Sequence, residues 1–248
     1  MKRALLAAVK LIGVLIMVGL VMFAVGVLWP IDPPMPGERS GRLLITGVTV
    51  VDVESGALMP DHEILIEDGI ISEVGRDLGA SGADLVARQG QFAIPGLFDM
   101  HSHAIKMAPV LTHPLFVANG VTAVRDLGGC LSRDDPWVAC ADDKRAWTQA
   151  VASGTMVGPR FDHVASMQIN GGPEVPDGEE PWMGAATAED ARRRVAFDKA
   201  RGIDFLKPYS MLPREGFFAL AAAARENDMY LAGHLPLAVS AHEAVDAG

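Results

Sequence analysis

The spacing of apolar positions changes twice along this chain, and each change predicts a different kind of element. Leu11 to Trp29 is an uncharged run of 19 apolar or glycine residues, preceded by Lys2, Arg3 and Lys10. As a helix it would span about 28 Å, close to the hydrocarbon thickness of a bilayer, so residues 1–29 are expected to form a membrane anchor or signal segment. The basic residues before it favour an N-inside orientation and export of everything that follows. A signal peptide cleaved near Ala24-Val25-Gly26 is the competing reading, but the run is long for a signal core and favours an uncleaved anchor. Pro30 to Gly41 holds four prolines and no period, which predicts a stiff extended linker over residues 30–41.

From residue 42 the pattern becomes short and β-rich. Leu43 to Val53 and His62 to Glu67 read as strands, Asp68-Gly69 before Ile70 to Val74 is a hairpin signal, and Leu85 to Phe92 is a weaker strand. Residues 42–95 therefore form a small β unit. Beyond it, strands are expected at Gly96 to Met100, Val121 to Asp126, Arg160 to Ala165, Ile203 to Lys207 and Met229 to His234. Helices are expected near Pro109 to Asn119, Asp142 to Ser153, Thr187 to Arg201, Pro213 to Asn227 and Val239 to Ala247. Such alternation predicts an α/β fold with a parallel sheet. With no Gly-rich phosphate fingerprint, residues 96–248 fit about five of the eight units of a TIM-type (β/α) barrel, since a whole barrel takes about 250 residues.

This reading changes the meaning of the polar residues. His101 and His103 stand at i and i+2 at the end of a strand, so both imidazoles can aim at one point. Arg125 and Asp126 close the second barrel strand, Lys207 the fourth and His234 the fifth, and in a barrel those ends ring one mouth. The histidine pair and His234 offer three neutral nitrogen donors, suited to zinc or a similar divalent ion. Arg125 and Asp126 are adjacent, face opposite ways, and could equally be structural partners. His62, His113, His163 and His242 sit in no motif and read as ordinary residues.

Composition narrows the partners. The chain has 31 Asp and Glu against 21 Lys and Arg, and the exported part is more acidic still once the three basic residues at the start are set aside. Such a surface repels phosphate backbones, so nucleic acid is excluded as a partner and a small-molecule substrate is expected. Cys130 and Cys140, in CLSRDDPWVAC, could close a disulfide in an oxidising compartment, and their spacing excludes a CxxC redox or zinc site.

The segments IPGLFDMHSH, NGVTAVRDLGG, GPR at 158–160, DFLKPY at 204–209 and AGHLP at 232–236 resemble the amidohydrolase superfamily of metal-dependent hydrolases, in its prolidase-like and imidazolonepropionase-like branch. The resemblance runs from about Leu43 to Gly248. It implies that the β unit is part of a β-sandwich flanking the barrel. It also implies that His101 and His103 hold a first divalent ion, that Lys207, often carbamylated in the family, bridges one or two ions, and that His234 binds the second. Zinc is the expected metal and a metal-activated water the expected nucleophile, acting on C–N bonds such as an amide, cyclic amide or dipeptide bond. Arg125, Asp126 and Tyr209 are then candidates for substrate contact or support of the ligands.

The resemblance also implies a later histidine and an aspartate that the 248 residues do not contain, and the expectation is an N-terminal portion of a longer protein. Gly171 to Glu174 stands where related enzymes often carry a histidine. Two alternatives remain open: a lactonase or phosphotriesterase using the same chemistry, and a membrane-anchored binding protein that keeps the fold without catalysis.

Overall fold

A computed structural model of the chain describes residues 2–28, 34–35, 37, 41–79, 81–130, 135–171, 175 and 180–248, in two units, Met1–Pro33 and Pro34–Gly248. Most of the expected linker, and residues 172–174 of the Gly171 to Glu174 segment, lie outside the described residues. The first unit is one helix, α1 (Lys2–Leu28), whose Val9–Gly26 stretch is long and apolar enough to cross a bilayer by length and composition, with no part of that stretch buried. A signal sequence would share these properties.

The second unit begins with a single mixed sheet: β1 (Arg42–Val51), β2 (Leu58–Glu67), β3 (Ile70–Gly75), β4 (Asp84–Ala87) and β5 (Phe92–Ala93), ordered β3-β2-β1-β4 with β5 also on β1. The turn between β2 and β3 has Asp68 at φ 50° and Gly69 at φ 82°, the left-handed pair that a two-residue hairpin requires. The expected strand Leu85 to Phe92 is instead two strands. Gly90, at φ 74°, turns the chain after Arg88, so β4 pairs with the first half of β1 and β5 with the second, both parallel.

Five parallel strands then follow in chain order, each leading into a helix: β6 (Leu97–Ser102), α2 (Pro109–Ala118), β7 (Val121–Asp126), α3 (Ala141–Ala152), β8 (Arg160–Val164), α4 (Ala188–Ala200), β9 (Phe205–Leu206), α5 (Arg214–Arg225), β10 (Tyr230–Leu231) and α6 (Ala241–Ala247). β6, β7 and β8 form one ladder and β9 and β10 another, joined by parallel bridges Ala165–Phe205 and Ile169–Pro208. β6 runs two residues beyond its expected end and so includes His101. β9 and β10 are shorter than expected, and Lys207 and His234 lie just past them. Backbone bonds still hold both, from Ile169 N to Lys207 O at 2.8 Å and from His234 N to Pro208 O at 3.0 Å.

The period of two sorts the strand residues. Val164 and Leu206 face the helices and join a core with Val195, Phe217, Leu220 and Ala224. Leu127, Ala165 and Phe205 face the other way and pack with Tyr230 and Ala232, the Phe205 and Tyr230 rings stacked at 5.0 Å. Lys207 and His234 follow two residues after members of this second layer, which therefore floors the site. Arg194, buried on α4, pairs with Asp198 at 2.6 Å and donates to Met183 O and Met167 O, so one guanidinium ties the loop after β8 to a 3-10 turn at Pro181–Gly184. Burial raises the Asp198 carboxyl above its ordinary range, and Arg194 opposes that rise.

His113, 2% exposed on α2, lies edge-on to Trp147 at 4.6 Å and beside Phe161, with a buried Nδ1 that has no hydrogen-bond partner. Burial pushes its pKa down to about 4, against the opposing charge of Asp126. The unfolded chain takes up the proton near pH 6.5 and the folded chain does not, so stability held above pH 6.5 is lost as pH falls toward 4, by up to about 3 kcal/mol. Denaturant midpoints at pH 7, 5.5 and 4.5 should fall less steeply for His113→Leu than for the natural chain; parallel curves would contradict this.

Candidate metal centre

The centre is assembled from three strand ends. The His101 and His103 rings stand with centroids 5.4 Å apart and 12° between planes, and His234, from the end of β10, has its ring 5.5 Å from that of His101. Three imidazoles from chain segments over a hundred residues apart thus cluster at one rim. Lys207, 2% exposed, places Nζ 3.5 Å from His103 Nε2 and donates to Leu127 O at 2.9 Å, while its backbone N–H donates to Ser166 Oγ at 2.9 Å. Tyr209 stacks on His234 at 4.3 Å between centroids and lies under the Lys207 ammonium.

The electrostatics favour donors over cations. Burial pulls the Lys207 ammonium below its usual pKa, with Lys144 adding to the effect and Asp126 opposing it. Desolvation lowers both His103 and His234, and the Lys207 charge lowers them further. Neutral imidazoles keep the lone pairs that a divalent ion needs. An ammonium has none, so Lys207 could ligate only after deprotonation or conversion to a carbamate. Among the described residues no group of three or more His, Cys, Asp or Glu is placed so that it could hold a metal ion. By chemistry alone, imidazole nitrogens are donor types that suit zinc.

The remaining expected residues separate. Asp126 is fully buried, accepts from Ala104 N at 2.5 Å and Gly128 N at 3.0 Å, and pairs with Lys144 at 2.5 Å. It thus fixes the backbone next to His103. Arg125 donates to Met100 O at 3.0 Å and lines a separate cavity of about 360 Å³ with Phe98, Met100, His163 and Tyr230, whose walls include none of the four expected ligands. Cys130 and Cys140 are joined as a disulfide with Cα atoms 5.3 Å apart. Gly129 lies so close to the Ser166–Met167 backbone that any side chain would overlap it, which holds the loop after β7 against the loop after β8. Sequence reasoning missed Lys144, which also donates to Gly128 O, and Ser166. Lys144 belongs to ADDKR, a charged stretch that reads as a solvated helix face.

Comparison with known proteins agrees with the motif reading. No family model matches the chain. A dihydroorotase of Acetivibrio thermocellus is 41% identical over 63 residues, 25% of this chain and 14% of that protein. A 5-methylthioadenosine/S-adenosylhomocysteine deaminase of Desulforamulus reducens is 41% identical over 68 residues, 25% of this chain and 16% of that protein. Among solved structures, a candidate prolidase of Bifidobacterium longum superposes with a TM-score of 0.65 at 18% identity, covering 87% of this chain and 53% of its own. A Xaa-Pro dipeptidase with methionine bound in its active site gives 0.59 at 21% identity, covering 84% and 60%. The chain thus spans about half the length of these structures, and the curated matches cover about a seventh of theirs. In sequence and in fold it resembles the amidohydrolase superfamily.

Proposed function

We propose that this chain is of a metal-dependent hydrolase type that acts on C–N bonds of small molecules, with His101, His103 and His234 holding a divalent ion, zinc in the first instance. The observation that carries the reading is the approach of these three rings, from residues over a hundred positions apart, beside a buried lysine. The names of its relatives, a dihydroorotase, a deaminase and a Xaa-Pro dipeptidase, support the bond class. The ion, when bound, supplies a Lewis acid and a water of lowered pKa. The protein's part is placement. His101 and His103 present two nitrogens from one strand face, Lys207 adds a donor once deprotonated or carbamylated, Tyr209 holds the His234 ring, and Asp126 fixes the strand end.

On this reading the five units belong to a TIM-type barrel, the β unit to its flanking sandwich, and α1 anchors an exported domain. Purified with its anchor in detergent, the protein should bind one or two zinc ions per chain by elemental analysis. The zinc-loaded protein should then turn over Xaa-Pro dipeptides or cyclic amides faster than lactones or phosphotriesters. No bound zinc at micromolar supply would reject the centre, and faster turnover of lactones or phosphotriesters would move the activity to that class. A second reading is an anchored binding protein that keeps the fold without catalysis, which zinc binding without any turnover would support.

A further inference from the structure

The chain that leaves the centre does not run free. Ala104, Ile105 and Lys106, the three residues after His103, lie antiparallel to Trp137, Val138 and Ala139, through an Ile105–Val138 bridge and bonds from Lys106 N to Trp137 O at 2.8 Å and from Ala139 N to Ala104 O at 3.3 Å. Asp135 stiffens the facing segment by accepting from Trp137 N and Val138 N, each at 2.8 Å. That segment ends at Cys140, which caps α3 and is tied by the disulfide to Cys130. One turn into α3, Lys144 reaches back to Asp126, whose other oxygen holds Ala104 N. Lys106 and Asp143 add an ion pair at 3.5 Å between the same two segments. Ile105 and Val138 also wall a cavity of about 300 Å³ that opens on His103 and Lys207.

The backbone–backbone bonds made by Ala104–Lys106 all end on Trp137–Ala139, within three residues of Cys140. We propose that the Cys130–Cys140 disulfide is a redox-controlled strap on the centre: closed, it holds Trp137–Ala139 against Ala104–Lys106 and fixes the backbone carrying His103; opened, it releases both and weakens zinc binding. The effect on zinc rests on the metal-centre reading given above, whereas the effect on the backbone does not. Opening takes two electrons from a dithiol. One of its thiolates attacks a sulfur of the disulfide, its second thiol resolves the mixed disulfide, and Cys130 and Cys140 depart as thiols with two protons while the dithiol closes on itself.

Hydrogen exchange followed by mass spectrometry on the full chain in detergent, with and without dithiothreitol, tests the strap. The amides of Lys106 and Ala139 should exchange about tenfold faster on reduction, while those of Ser166 and Ala232, bonded to Phe205 O and Leu206 O, keep their rates. Because dithiols bind zinc, affinity is read on the double variant Cys130→Ser with Cys140→Ser, by competition with a chromophoric chelator. The expected loss is about tenfold relative to the oxidised chain. Unchanged exchange at Lys106 and Ala139 overturns the proposal. Equal acceleration at all four amides also overturns it, since the disulfide would then hold the whole fold. Faster exchange with unchanged zinc affinity refutes control of the centre. Faster exchange in a chain that binds no zinc in either form refutes the metal-centre reading and upholds the strap.

Discussion

Replacing His101 with alanine is expected to abolish stoichiometric zinc binding, with a loss of affinity of about a hundredfold or more. His101 is the middle ring of the three, neighbouring His103 at 5.4 Å and His234 at 5.5 Å, so without it the other two imidazoles lose the donor that links them. The side chain is exposed, and its removal leaves the core untouched. Thermal unfolding of the zinc-free variant should therefore match that of the zinc-free natural chain within about 1 kcal/mol, as for other exposed positions. His242→Ala, an exposed histidine on α6, serves as the control and should keep full zinc content. Unchanged zinc stoichiometry in His101→Ala would remove this residue from the centre.

Asp126→Ala should destabilise the second unit by about 3–5 kcal/mol, read as a shift of the denaturant midpoint. Asp126 and Lys144 are each 0% exposed, so removal of the carboxylate leaves a buried ammonium with Gly128 O as its remaining acceptor and deprives Ala104 N and Gly128 N of theirs. A desolvated charge left without its partner is far more costly than a surface pair broken in water. Adding Lys144→Met to Asp126→Ala should restore part of the loss, because the uncompensated charge goes with it, and a double-mutant cycle would show coupling above about 1 kcal/mol. Additive losses, or a single loss below 1 kcal/mol, would mean that water reaches the pair.

The contrast between these two sites explains what the sequence could reveal. The histidine pair was legible because strand geometry alone forces i and i+2 onto one side, and the β2–β3 hairpin because Asp68-Gly69 suits two successive left-handed residues. The alternation of five strands and helices followed from apolar spacing. Lys144 and Arg194 were not legible. Both belong to helical stretches dense in charge, ADDKR and ARRRV, where burial of one cation depends on a carboxylate and on carbonyls brought by distant loops. The division of Leu85 to Phe92 into β4 and β5 depended on which half of β1 each piece would meet, and no local pattern encodes that. Asp126 stood beside Arg125 as a site residue of undecided role, and its choice of Lys144 over the mouth could be seen only once α3 was in place.

The centre also joins chain segments of very different sequence distance. Asp126 meets Ala104 across 22 residues, whereas Lys207 meets His103 across 104. Closing the longer loop carries the larger entropic penalty, so the β6–β7 half is expected to form before Lys207 and His234 approach it. An ion held by both halves would then bind after the folding barrier has been crossed. Zinc should leave the refolding rate almost unchanged and slow unfolding in proportion to its affinity, making the bound protein long-lived in kinetic terms.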